Sequence, residues 1–443
     1  GHKNDLPFIQ HVGMNGVFVP EVLDFRGMEV KPKGDHQKAD VEVIKWLAHN
    51  GFLFEKRKVI HSSPHCWRCD TPLLNYATSS WFVRVTDFKD KLVAANKKVN
   101  WTPSDISAGR FGKWLEGARA WAISRSRFWG APIPVWRGIT SGKIYPVGSL
   151  DDLKSLVKRS GNSYTLLRHG ESESNVLGIL NSEFPNKYHL TAKGRGQIAA
   201  RAQELAKRGI DVIVASDFLR TKETARIVAE TCGLDAKDIV YDVRLREYSV
   251  GKELEGQKWK DIESAVKSLG LRPGMESPAE LKKRVLAVMY DLDRKYSGKR
   301  ILVISHGAPL NMIKHGVAAE AGSDKVSHTE RNNFKQPAEM HRHEFVAFPH
   351  DEGFNLALHR PFIDKVECVA PDGEELVRVP EVFDCWFESG SMPFAQSHYI
   401  GAPRPGFNPR GGLFKKAVGY PADFIAEGLD QTRGWFYTLT VLG

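Results

Sequence analysis

From Tyr164 onward, hydrophobic and polar positions alternate between two periods, short apolar runs and longer segments with apolar residues every three or four positions. YTLL, DVIVAS and RILVIS read as buried strands, and IAARAQELAKRG, TKETARIVAETCG and LKKRVLAVMYDLDRKYSG as amphipathic helices. Strands alternating with helices predict a parallel α/β sheet, whose ligands sit beyond the strand C-termini. All three polar clusters of this stretch stand there: RHGE after YTLL, SDFLR after VIVA, SHG after ILVI. RKYSGKR, between a predicted helix and RILVIS, reads as a turn.

The flanks carry a different pattern. Val41, Ile44, Trp46 and Leu47 fall at near-helical spacing, closed by Asn50-Gly51 as a C-cap. SSWFVRV alternates as a strand, Ser149 is placed to cap a helix over SLDDLKSLVK, and ADFIAEGLDQTRGWF reads as a strand-to-helix passage. With 443 residues, at least two hydrophobic cores are expected.

Composition narrows the class only a little. A 42% hydrophobic content without an apolar run near 18 residues excludes a membrane helix. Five cysteines, only two of them closely spaced, do not form a disulfide framework, so a reducing, cytoplasmic setting is expected. A net charge of +10 suits a polyanionic partner such as RNA without requiring one.

Phosphoryl transfer needs fixed cations, an in-line nucleophile and a proton donor for the leaving oxygen. Arg168 and Arg220 can bind phosphoryl oxygens, His169 can attack as neutral imidazole, Glu247 can act as acid and base, and His306 can donate to the transferring group. LLRHGESESN, LTAKGRGQIA, SDFLRTKETA, RLREYSVGKELEG and VISHGAP together resemble the histidine phosphatases, over roughly 162–350. The resemblance implies a three-layer α/β domain, phosphorylation of His169, Asn175 and Glu171 near the phosphate, a phosphorylated small molecule as substrate and no required cofactor.

The outer segments resemble another family, the isoleucyl-tRNA synthetases of class I. HSSPHCWRCDTPLLNYATSSWFV, AWAISRSRFWGAPIPVW, LHRPFIDKV, VPEVFDCWFESGSMPFAQ and EGLDQTRGWFYTL carry it. A branched aliphatic amino acid needs apolar walls and a carboxylate for its ammonium. The resemblance assigns the walls to Trp386 and Trp435 and the polar contacts to Glu427, Gly428, Asp430 and Gln431, with Arg125 and Arg127 facing the tRNA acceptor end. It implies ATP with Mg2+, isoleucine and tRNA(Ile) as partners, and a monomer. Cys66 and Cys69 form a CxxC that suits half of a tetrahedral zinc site, with His61 and His65 as weaker further donors.

The expected organisation is therefore a multidomain α/β chain. Residues 1–60 are the β-rich end of an editing domain, 61–159 and 351–443 are segments of a Rossmann-like catalytic domain, and 160–350 are the insert. Neither a HIGH-like tetrad nor a KMSKS-like loop is found, GHKN at 1–4 not being the first, so this chain is not expected to form aminoacyl-adenylate alone. The alternative is a stand-alone phosphohydrolase flanked by inactive synthetase-derived, RNA-binding segments.

Overall fold

The computed structural model describes residues 7–183, 187–258, 260–261, 274–317, 334–397, 399, 407–408 and 418–443. GHKN lies outside them. Two compact units divide after Trp81, some twenty residues beyond the boundary expected near residue 60.

In the first unit, bridges Val12–Phe18 and Val17–Glu29 stitch the described residues before helix α1 (Lys38–His49). The β character expected of residues 1–60 is limited there to such bridges. The predicted C-cap is present: the Asn50 side chain donates to Trp46 O at 2.8 Å and Gly51 has φ +74°. Trp46 packs between Phe25 and Phe52.

The second unit opens with β1 (Phe82–Val83), far shorter than SSWFVRV suggests, paired with β2 (Trp121–Ala122). Helices α2 (Lys89–Asn96) and α3 (Gly112–Glu116) bury Leu92, Phe111 and Leu115 beneath them. Strand β3 (Ser124–Arg125) follows, then hairpin strands β4 (Val135–Gly138) and β5 (Ile144–Pro146) and helix α4 (Leu150–Leu156). Ser149 caps α4 as expected, accepting from Asp152 N at 3.1 Å.

The chain then enters a five-stranded sheet. Its elements are β6 (Ser163–Arg168), α5 (Glu173–Leu177), α6 (Ala192–Arg208), β7 (Val212–Ala215), α7 (Leu219–Cys232), β8 (Val240–Tyr241), α8 (Pro278–Lys295), β9 (Arg300–Ser305), α9 (Gly307–His315) and β10 (Met340–His343). Sheet order is β10-β6-β9-β7-β8, parallel except for β10. Strand residues alternate between faces. Leu166, Val214 and Val303 join the core under α8 and α9, whereas Leu167, Ile213, Leu302 and Ile304 join the one under α6 and α7. This is the expected three-layer sandwich. Within RKYSGKR, residues 296–299 make the short connection between α8 and β9.

After β10 the chain returns to β11 (Cys368–Val369), β12 (Glu375–Arg378), β13 (Val382–Phe383), α10 (Cys385–Ala395) and α11 (Trp435–Leu442). Strands from before and after the insert make one antiparallel sheet, β11-β12-β4-β5, closed by α4 over Trp136, Leu153 and Leu376. Val157 bridges Cys368, and Lys158 N donates to Glu367 O at 2.9 Å, so the chain leaves and re-enters this sheet side by side. In the ADFIA segment no strand forms. A strand needs a partner edge for its backbone groups, no described segment pairs with it, and Phe424 is exposed.

Because the host sheet and the insert have separate cores, Trp136→Ala should cost the host sheet about 3–5 kcal/mol. In urea unfolding followed by domain-specific hydrogen exchange, α4 and β4 should lose protection first while β6 and β9 keep theirs.

Candidate functional site

The parallel register pairs Arg168 with Ser305, so β6 and β9 end level and the residues that follow them, His169 and His306, emerge together. Their rings are 5.1 Å apart, both buried. Beyond β7, Ser216 precedes α7, whose first turn brings Arg220 between the two imidazoles. Close backbone contact supports the loop after β6: a Cβ on Gly194 would lie 2.0 Å from Glu171 O, and one on Gly170 would lie 2.6 Å from Gly194 O. Only glycine lets α6 approach so closely.

Arg220 donates through Nε to His169 Nε2 (3.1 Å) and through Nη2 to His306 Nδ1 (3.1 Å). A guanidinium can only donate, so both ring nitrogens accept. That assigns the tautomers. His169 donates from Nδ1 to Gly170 O (2.7 Å) and keeps a lone pair on Nε2; His306 donates from Nε2 to Ser216 Oγ (3.0 Å). Burial, and then the field of Arg220, hold both imidazoles well below their ordinary value of 6.5, so both are neutral near pH 7.

The cations are enclosed as well. Arg168 donates from Nη1 to Phe334 O (2.8 Å) and Lys335 O (2.5 Å), while its buried Nε has no partner among the described residues. Burial lowers Arg168 and brings Arg220 down to about 10, with the Glu247 carboxylate opposing the shift in both. Glu247 is half-buried and accepts from Tyr248 N at 2.9 Å. Buried donors without a carboxylate in contact, one of them unsatisfied, form a site for an oxyanion.

Asn175 and Glu171, both expected near the phosphate, have their oxygens bonded close by. Asn175 Oδ1 accepts from Ser172 N (3.0 Å) and Ser172 Oγ (2.9 Å) in the capping box of α5. Glu171 binds Lys193 Nζ (2.8 Å) and Thr191 Oγ1 (2.9 Å) at the start of α6, which hold its carboxyl below the usual range. The sequence reading misses Ser216, which orients His306, and Asn181, whose Oδ1 and O accept from Arg220 at 2.6 and 3.1 Å. Ser216 stands in the SDFLR cluster, but nothing in ILNSEF marks Asn181.

Among the synthetase-type residues, Trp386 and Trp435 come together where α10 meets α11. Trp435 Nε1 donates to Ser389 O (3.0 Å), and the Trp386 ring fills the space a Cβ on Gly434 would take. Gln431 accepts from Trp435 N (3.0 Å) and donates to Asp430 (2.9 Å); Glu427, Gly428 and Asp430 are exposed. Arg125 is engaged within the fold, paired with buried Asp384 at 2.5 Å and donating to Ala122 O and Ser124 O. Arg127 is exposed.

In the first unit, Cys66 and Cys69 lie on one turn closed by Asp70 N to Cys66 O and Cys66 N to Thr71 O. The Thr71 hydroxyl, and then Cys66, lower the Cys69 thiol. His61 and His65 donate from Nδ1 to the Ser62 and Ser63 carbonyls. No cluster of three or more metal-ligating side chains exists among the described residues, so these thiols alone do not complete a tetrahedral set.

Residues 21–175 and 327–443 match the model of the family "tRNA synthetases class I (I, L, M and V)". The chain belongs to this family. Within the synthetase framework, residues 164–333 match the "Histidine phosphatase superfamily (branch 1)", and the chain carries this as an inserted domain. The chain is 28% identical over 438 residues to an isoleucine–tRNA ligase of Treponema denticola, covering 99% of this chain and 21% of that protein. A ligase of the same name from Clostridium novyi is 28% identical over 443 residues, 100% of this chain and 23% of that protein. The chain thus spans less than a quarter of the length of these relatives. Solved structures similar to it include a mycobacterial glucosyl-3-phosphoglycerate phosphatase (24% identity, 34% of this chain and 77% of that one, TM-score 0.31). Another is a phosphoserine phosphatase from Entamoeba histolytica (23% identity, 35% and 80%, TM-score 0.30). No described helix is long and apolar enough to cross a membrane.

The depressed imidazoles make stability pH-dependent. The unfolded chain takes up protons on these histidines near pH 6.5 whereas the folded chain resists until lower pH, so their contribution is complete above pH 6.5 and lost as pH falls towards the folded values. Thermal midpoints should drop between pH 7 and pH 5, and His306→Gln should flatten that slope.

Proposed function

We propose that the inserted domain hydrolyses phosphomonoesters through a phosphohistidine at His169. The observation that carries this reading is the buried pair Arg168 and Arg220 against two neutral imidazoles, with Arg168 Nε left for an incoming anion. A substrate phosphate competes for the Arg220 donors and thereby releases the His169 Nε2 lone pair, which attacks phosphorus. The P–O ester bond breaks as the acid form of Glu247 protonates the leaving oxygen, and His306, taking a proton on Nδ1 from the entering phosphate monoanion, donates it as a hydrogen bond to the phosphoryl oxygens. Water, deprotonated by Glu247, then displaces His169 and yields inorganic phosphate.

The whole protein is read as a cytoplasmic isoleucine–tRNA ligase acting on ATP, isoleucine and tRNA(Ile), with residues 1–60 from an editing domain, 61–159 and 351–443 catalytic, and 160–350 inserted. Trp386, Trp435, Glu427, Gly428, Asp430 and Gln431 are assigned to the amino acid and adenylate, and Arg127 to tRNA. Arg125 would act there only by giving up its bond to Asp384. Mg2+ would accompany ATP, and Cys66 and Cys69 would give zinc two of its four ligands.

The 443-residue chain is expected to hydrolyse p-nitrophenyl phosphate, and His169→Ala to lower kcat by roughly three orders of magnitude or more. Equal turnover in both proteins would remove the phosphohistidine. Isoleucine-dependent ATP–pyrophosphate exchange is expected of the full-length protein and not of this chain.

A further inference from the structure

Glu255 makes no contact with His169 or His306, yet its carboxylate collects four donors from a single loop. Asn181 Nδ2 reaches Oε1 at 2.8 Å, while Ser182 N, Ser182 Oγ and Glu183 N reach Oε2 at 2.9, 3.2 and 3.2 Å. Backbone bonds flank this grip, from Leu180 N to Gln257 O and from Gly256 N to Leu180 O, both 2.9 Å. The other side of Asn181 faces the site, where its Oδ1 and O take one donor from each of the Nη atoms of Arg220.

An amide that donates to a carboxylate from Nδ2 can present only Oδ1 to the guanidinium. The amide is therefore fixed in one orientation, and with it the plane of Arg220. That plane aims Nε at the His169 lone pair and Nη2 at His306. A guanidinium fork binds a phosphoryl group well only in one plane.

We propose that Glu255 is a positioning residue for phosphoryl transfer, acting through Asn181 to hold Arg220 in the plane that binds the phosphoryl group against His169. The inference rests on the phosphohistidine reading above. Glu255 also places a second negative charge near a buried arginine without neutralising it by direct contact. The donors that Arg220 gives to the two neutral rings can thus pass to a substrate phosphate.

The test uses the 443-residue chain, p-nitrophenyl phosphate and inorganic vanadate. Glu255→Gln and Asn181→Ala should each lower kcat/KM by about 10- to 100-fold and weaken vanadate inhibition in parallel, since small misplacements of a catalytic group have effects of this size. The double variant should lose no more than either single one, because both changes break the same chain of contacts. Asn181→Ala leaves Glu255 bound to Ser182 and Glu183, so it reports even where Glu255→Gln fails to fold. Losses that multiply, or variants with unchanged kinetics and vanadate inhibition, would overturn the clamp while leaving the phosphatase reading intact. A parent chain with neither turnover nor vanadate binding would overturn both.

Discussion

The parallel register of β6 on β9 is the constraint on which the insert's site depends. It ends the two strands level, so that two imidazoles leave the sheet at the same height and a third element, α7, can place one guanidinium between them. A slip of one residue would turn Leu166 and Leu167 to the opposite faces and separate the two histidines. The same two layers of buried apolar residues that hold the register therefore also hold the chemistry.

Burying guanidinium groups is costly unless something answers their charge. Here the immediate partners are neutral rings and carbonyl oxygens, and the electrostatic cost appears as lowered proton affinity of every basic group involved. A fold selected for stability alone would place a carboxylate in contact with Arg220. Keeping the nearby carboxylates Glu247 and Glu255 out of direct contact leaves the arginines available to an anion, while the neutral His169 keeps a lone pair on Nε2.

Much of this was legible in the residue pattern, and the parts that were not share a physical reason. The strands, helices and helix ends of the insert follow from periodicity and capping, and Arg168, His169, Arg220 and His306 follow from the rule that polar residues beyond parallel strands form sites. Asn175 and Glu171 stand in the same loop, and the donors their oxygens take, a helix N-terminus and a lysine, were not legible because composition does not say which neighbour packs there. Arg125 is similar: its pair with Asp384 joins residues 259 positions apart. Asn181 and Glu255 are linked only by the packing of two loops. The ADFIA segment has a strand's composition, but a strand is a property of two segments, and composition reports one.

The joint between insert and host explains how one sheet tolerates more than two hundred residues between β5 and β11. Its polar clip, Glu344 with Lys154 and Arg159, is partly exposed, and such pairs contribute little. The backbone carries more of the load: the outgoing and returning strands bond to each other at Val157–Cys368 and Lys158–Glu367. Beyond them Tyr290 donates to Phe348 O at 2.6 Å and packs against Phe345 and Phe354, with His350 stacked on Phe354. These contacts tie α8 of the insert to the segment that follows β10, whose Val346 and Phe348 also pack on the core of the host sheet. Any rotation of the insert as a body would have to break either the paired connections or this aromatic cluster, so the joint is held at two places. Strain passing between the two halves therefore has two routes, the paired connections at Val157–Cys368 and Lys158–Glu367 and the aromatic cluster on α8.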